Sequence, residues 1–394
     1  MQASSNLTNV SNPKILITGG GGFIGSYLVQ ALTASGHDVV VFDTNPERIR
    51  LEGFSNYEAV IKPRLTFVGG DLISLPTVLE IFDRYRPTVV FHLGALLSAG
   101  AEARPQMGYE VDLVGTQNVL EAARLFGGEG TDRIKVLFPS TIASFGTHLP
   151  PAVGGVKPLV PNEYAQMPTT VYGVAKVSSE RLGEYYTRKG WVDFRAVRFP
   201  SVIGAGRGPG GTTVYSTLMV ELPALGQNYS AYVYDSTRVA IIYVQDAVRA
   251  LIGLWLANEE DFGKSLLTPG QVESPAEKTE RILANRVYNI QGIADQTGTA
   301  PQPPTADDIY TAFKDAPNVD PAITKGTVSF ATPPADGSTP GIINTLNGFG
   351  FLDDTRAKND WGWSAMYDLQ AAVDDFVKEV QTQRKRIKKL ELWG

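Results

Sequence analysis

Short apolar runs and longer stretches of helical spacing alternate along the first half of the chain. The apolar runs, at residues 14–18, 38–43, 65–68, 88–93, 134–139 and 193–199, are four to seven residues long and rich in Val, Ile, Leu and Phe, as strands buried on both faces are. Between them, stretches beginning near Phe23, Pro76, Pro105 and Val171 carry apolar residues every three or four positions, the spacing of one helix face. Strand, helix, strand in repeated order predicts an α/β fold, a doubly wound parallel sheet with right-handed crossovers.

Past residue 199 the pattern loosens into Gly- and Pro-rich sequence through about Asp235, then recovers in an apolar run at 239–244 and a helix from Gln245. Residues 264–285 and 294–342, dense in Pro, Thr, Gly and Asp, read as long surface loops with one short helix at 306–316. A last helix from about Ala365 ends in Arg384, Lys385, Arg386, Lys388 and Lys389, cations at the negative end of a helix dipole, which reads as a solvated helix end. Residues 1–12, polar and without arginine, read as a disordered leader. The expected layout is a nucleotide-binding domain at 13–199 and 236–263, a smaller discontinuous C-terminal substrate lobe at 200–235 and 264–365, and a C-terminal helix at 366–394.

Composition narrows the chemistry. With no cysteine, disulfides, thiolate nucleophiles and sulfur-ligated metals are excluded, and the three histidines, His37, His92 and His148, are scattered. A net charge of −6 gives no field for phosphate backbones, so nucleic acid is not an expected partner. No apolar run reaches bilayer length, so no membrane association is expected and the location reads as cytoplasmic.

The densest local signal is Thr18-Gly19-Gly20-Gly21-Gly22-Phe23-Ile24-Gly25, between a predicted strand and a predicted helix. Gly19 permits the tight turn, Gly22 lets the backbone approach a pyrophosphate, and Gly25 allows close helix packing. This makes the sheet Rossmann-type. At the end of the next strand Asp43 is placed to accept both hydroxyls of an adenosine ribose, favouring NAD over NADP. Asp71, after Gly69-Gly70, also ends a strand; it could approach the adenine and is equally a turn residue.

Tyr172-Gly173-Val174-Ala175-Lys176 puts a phenol and an ammonium on one helix face. A phenol titrates near pH 10, so a phenolate base at neutral pH requires a downward shift of about two to three units, roughly 3 to 4 kcal/mol. A partly buried lysine and a positive nicotinamide ring could supply it. Upstream, Ser140 and Thr141 stand at a strand C-terminus, where open α/β sheets carry their sites, and either could hold the reacting oxygen.

In this order of glycine turn, strand-end Asp, His92-Leu93-Gly94-Ala95, Ser/Thr and Tyr-x-x-x-Lys, the chain resembles the extended short-chain dehydrogenase/reductases of the epimerase/dehydratase superfamily. The resemblance implies Thr141, Tyr172 and Lys176 as catalytic residues and an NAD site lined by Gly19, Gly22, Phe23, Ile24, Gly25, Asp43, Asp71, Leu72, Leu93, Gly94, Ala95, Tyr172, Lys176 and Pro200. Within that group it is most similar to the short-chain L-threonine 3-dehydrogenases. Leu97-Ser98-Ala99, Pro139-Ser140-Thr141-Ile142, Pro168-Thr169-Thr170-Val171-Tyr172-Gly173, Arg198-Phe199-Pro200, Pro209-Gly210-Gly211-Thr212-Thr213 and the run from Asp353 to Trp363 carry this likeness. It implies that Ser98, Ser140, Thr141, Tyr172, Gly211, Thr212 and Thr213 bind substrate, that L-threonine is oxidised to 2-amino-3-oxobutyrate with Tyr172 as base, and that the protein is a homodimer. Asp112 replaces the usual Asn, Gly100-Ala101-Glu102 the usual Lys-Gly-Glu, and Asn347-Gly348-Phe349-Gly350 a Ser-Trp-Pro run. The competing readings are a dehydrogenase of another small hydroxy acid such as a D-erythronate-like sugar acid, a nucleotide-sugar epimerase or dehydratase, and an NAD-binding regulatory protein.

Overall fold

The computed structural model describes residues 13–44, 49–147, 149, 156–208, 210–294 and 301–383, so the expected leader at 1–12 and the basic tail from Arg384 to Lys389 lie outside the described residues. Seven parallel strands form the central sheet: β1 (Ile15–Thr18), β2 (Val39–Asp43), β3 (Leu65–Gly69), β4 (Val89–His92), β5 (Lys135–Thr141), β6 (Asp193–Phe199) and β7 (Val287–Asn289). Their spatial order is β7-β6-β5-β4-β1-β2-β3, which reverses direction at β1, the switch point of a doubly wound sheet.

Alternation along the strands divides the core into two layers. Leu16, Val90, Val136, Phe138 and Phe194 face one side, covered by α2 (Leu75–Tyr85) and α3 (Gly115–Phe126). Ile15, Ile17, Val41, Phe91 and Leu137 face the other, with residues of α1 (Phe23–Ala34) and α5 (Val244–Leu256); α4 (Val171–Arg188) packs against β5 and β6. Because both faces are covered, β1, β4 and β6 are buried at every position; β1 and β4 stand out in the sequence as short apolar runs, while β6 also carries Asp193, Arg195 and Arg198 in buried ion pairs. The edge strand β3 is only half-buried.

Beyond β6 the structure holds more order than the sequence patterning predicts. Ser201–Ile203 pairs in parallel with Ile241–Tyr243, inside the expected apolar run at 239–244. The span 264–285, expected as loop, contains the helix Pro275–Ala284, opened by a capping box in which Ser274 and Glu277 satisfy each other's backbone. The span 294–342 contains the expected short helix, Ala306–Asp315, and also the strand Val328–Phe330, paired with Tyr229–Ala231, before the helix Gly341–Gly348. The last helix is α6 (Leu369–Thr382). Among the described residues no helix is long and apolar enough to cross a membrane.

Candidate active site

At the end of β1 the backbone turns at Gly19, whose φ of 69° is left-handed and whose N–H donates to the Phe42 carbonyl at 2.9 Å. A Cβ on Gly19 would stand 2.6 Å from the Gly94 nitrogen, and one on Gly25 2.3 Å from the Gly19 carbonyl oxygen, so the turn closes only with glycine at both places. Gly22 opens α1 without any side-chain cap, leaving the first N–H groups for a ligand. The Gly21 N–H donates to Asp43 Oδ2 at 3.0 Å, which fixes the carboxylate beside the turn. These groups fit a dinucleotide: a backbone cradle for its diphosphate and a carboxylate for a ribose.

A cavity of about 390 Å³ extends from this turn across the C-terminal ends of β1, β4 and β5. Of the residues singled out from the sequence, Gly19, Gly22, Phe23, Ile24, Gly25, Leu93, Ala95, Ser98, Ser140, Thr141, Tyr172, Lys176, Pro200, Gly211, Thr212 and Thr213 line it. Asp43, Asp71, Leu72 and Gly94 are not in its wall. Leu72 is buried beneath Gly94, and Asp71 shapes a turn, its Oδ1 accepting the Ile73 N–H at 3.1 Å. Behind the cavity His92 bridges Thr18 Oγ1 at 2.7 Å and Thr116 Oγ1 at 3.0 Å; burial brings its pKa down to about 3, so it is a neutral connector.

Tyr172 lies in the first turn of α4, whose N-terminus is capped by Thr170, with the Val171 N–H donating to Glu102 at 2.7 Å. One turn on, Lys176 is buried, donates to the Pro139 carbonyl at 2.9 Å, and has Nζ 4.3 Å from the Phe138 ring centroid and 5.5 Å from that of Tyr172. Burial lowers Lys176 to about 8 against the opposing charges of Asp112 and Glu180. The Tyr172 phenol is instead pushed above its ordinary value, first by burial and then by Asp112, while Arg207 and a hydrogen bond from Thr141 pull the other way. The downward shift expected from the Tyr-Lys spacing is therefore not supplied by the protein's own groups.

Thr141 ends β5 and caps the turn Ile142–Phe145, accepting the Ala143 N–H at 3.1 Å, which leaves its hydroxyl proton free to donate. Ser140, on the opposite face of the strand, donates to Glu180, which is ion-paired with Arg198 at 2.8 Å. Its hydroxyl is thus committed to the wall. At the far end, Thr213 Oγ1 meets Ser201 Oγ at 2.6 Å and Thr212 accepts from the Tyr232 hydroxyl at 2.7 Å, with Gly211 left-handed at φ 102°.

The sequence reading left Arg207, Ser201, Thr147, Thr345 and Phe349 out of the site, yet all five line the cavity. Arg207 donates to Ser201 Oγ at 3.0 Å and the Val202 carbonyl at 3.1 Å, and among the described residues it forms no ion pair; burial lowers it to about 10. An arginine among Gly204, Gly206, Gly208, Gly210 and Gly211 was its available signal. Phe349 has as its signal only the run Asn347-Gly348-Phe349-Gly350 that departs from the family pattern, and Thr345 has none, because only the fold brings their segment to the sheet.

The NAD dependent epimerase/dehydratase family model matches residues 15–265, well over half of the chain, so the chain belongs to that family. It is 29% identical over 375 residues to the mitochondrial L-threonine 3-dehydrogenase of Sus scrofa, an alignment covering 94% of this chain and 83% of that protein. Among solved structures it is similar to the holo form of the GalE-like L-threonine dehydrogenase of Cupriavidus necator, with a TM-score of 0.71 and 26% identity over 93% of this chain and all of that one. It also shares its fold with a monomeric L-threonine 3-dehydrogenase from a metagenome, with a TM-score of 0.69 and 23% identity over 93% of this chain and 99% of that one.

Proposed function

Starting from an NAD-dependent oxidoreductase of the short-chain dehydrogenase/reductase type, we propose that this chain oxidises the secondary alcohol of a small polar amino or hydroxy acid, with L-threonine as its substrate and 2-amino-3-oxobutyrate as product. The observation that carries this reading is the cavity whose wall brings Tyr172 and Thr141 together with the glycine turn and with Ser98, Arg207, Gly211, Thr212 and Thr213. The names of the similar proteins point the same way.

In this mechanism Thr141 donates to the alcohol oxygen and Tyr172 takes its proton. Lys176 holds a positive charge beside the phenol and reaches the nicotinamide ribose. NAD held by the glycine turn and Asp43 would supply the hydride acceptor for the carbinol carbon and the positive charge that the buried phenol lacks from the protein. Asp43 holds the adenosine ribose, while Gly22 to Gly25 face the diphosphate. Arg207 and the Gly211–Thr213 backbone balance the substrate carboxylate. We further propose that two copies pair through the helices on the outer face of α3 and α4. The deciding assay offers NAD with L-threonine, L-allo-threonine, L-serine, 3-hydroxybutyrate, erythronate and UDP-glucose. NADH formed fastest with L-threonine is the expected result. Turnover of erythronate alone moves the substrate assignment, and isomerised UDP-sugar alone removes it.

A further inference from the structure

Asp112 is 2% exposed and sits in the π-helical turn Glu110–Val114 that leads into α3. Its backbone carbonyl accepts hydroxyls from Thr116 at 2.6 Å and from Ser179 of α4 at 3.2 Å, so the turn is pinned to the helix that carries Tyr172 and Lys176. One carboxylate oxygen accepts the Leu96 N–H at 2.6 Å. The other is buried and, among the described residues, has no hydrogen-bond partner. A buried, half-satisfied carboxylate is costly unless a nearby cation compensates it.

We infer that Asp112 is a positioning residue for the Tyr172–Lys176 pair, supplying a fixed negative charge that sets the pH range over which the pair carries its protons. The inference rests on the proposed role of that pair. Lys176 is the cation that acts on Asp112, and Asp112 in turn is the largest charge favouring protonated Lys176 and disfavouring ionised Tyr172. Of the other groups around the pair, His92, joined through Thr116, is neutral, the Glu110 carboxylate on the same turn accepts from Gln106, and Arg207 acts on Tyr172 with the sign opposite to that of Asp112. Glu180, farther along α4, is paired with Arg198. Burial raises the Asp112 carboxyl to about 6, so it ionises just below the pH at which the dehydrogenase is expected to work.

The sign follows directly. With Asp112 ionised, every proton loss from the pair creates or leaves negative charge near a carboxylate and is held back; Asp112→Asn keeps an acceptor for Leu96 but removes that charge. Profiles of kcat/KM against pH for L-threonine with NAD are therefore expected to coincide below about pH 6, where Asp112 is protonated, and to separate above it, the variant's acid limb lying lower by about half a unit or more. A uniform change in rate with the limb unmoved means a structural role and overturns the inference. Thermal unfolding supplies an arm that needs no turnover. A carboxyl raised in the folded state loses stability as pH rises from its unfolded value, so the midpoint of Asp112→Asn should gain on wild type up to about pH 6 and then level. In a Lys176→Met background, which keeps an unbranched apolar stem against Phe138, the levelling pH should move upward. Levelling at the same pH in both backgrounds refutes the coupling. If no substrate is turned over and the levelling pH still moves, the substrate reading fails while the Asp112 inference stands.

Discussion

At Tyr172 two influences of opposite sign meet: burial and Asp112 hold the phenol protonated, and Arg207 and Thr141 favour its ionisation. A Tyr172→Phe exchange keeps the ring against Lys176 and removes only the group that moves the proton. It should lower kcat by about 10²- to 10⁴-fold, with NADH affinity changed by no more than about twofold. Residual activity near wild type, with the same pH profile, would assign the base elsewhere. Asp43 is fixed by the Gly21 N–H at 3.0 Å, so a phosphate on the adenosine ribose would meet an oriented negative charge. Wild type is expected to favour NAD over NADP, and Asp43→Asn, which retains an acceptor for Gly21, should narrow the ratio of the two kcat/KM values by about tenfold or more. Equal efficiency with both cofactors in wild type would sink this account of Asp43.

The elements differ in how plainly the sequence announces them, and burial explains the difference. β1, β2, β4 and β5 are buried along most of their length and read as apolar runs, whereas β7 has three residues, Val287, Tyr288 and Asn289, too few to show any period. Ser274, Pro275 and Glu277 do spell a helix start, but Thr268, Pro269 and Gly270 just before them give the span the composition of a loop. The site divides in the same way: the glycine turn and Tyr172–Lys176 are local in sequence, while Thr345 and Phe349 reach the cavity from some 170 residues beyond Tyr172 and no local rule connects them. Their helix, Gly341–Gly348, is held at its C-terminal end by Lys157, whose Nζ donates to the Leu346 carbonyl at 3.0 Å and the Phe349 carbonyl at 2.8 Å. Ile343 and Leu346 anchor its buried face. Lys157→Met removes both charged hydrogen bonds, each worth about 1.5 to 3 kcal/mol, and should loosen this wall. The expected result is a rise in substrate KM of about tenfold with kcat nearly unchanged. A fall in kcat at constant KM would mean that the segment does not border the substrate.

At the scale of the whole molecule, five exposed apolar side chains share one group of neighbouring helices. Met107 and Tyr109, in the short helix Pro105–Tyr109, Leu125 in α3, and Val174 and Tyr185 in α4 are each between 43% and 51% exposed. These helices are neighbours, α3 packing directly on α4, so the exposed side chains belong to one side of the sheet. In the proposed pairing through these helices, a two-fold axis would let each copy cover the other's exposed side chains with the same residues. Sedimentation equilibrium at micromolar concentration should give about twice the 42.6 kDa of the chain. Leu125→Glu combined with Tyr185→Glu places charges where two apolar patches would meet and should shift the equilibrium to monomer, with secondary structure intact by circular dichroism. A wild-type protein that sediments as a monomer would leave the outer face of α3 and α4 without a partner of its own kind. A dimer unaffected by the paired glutamates would place the contact on another face.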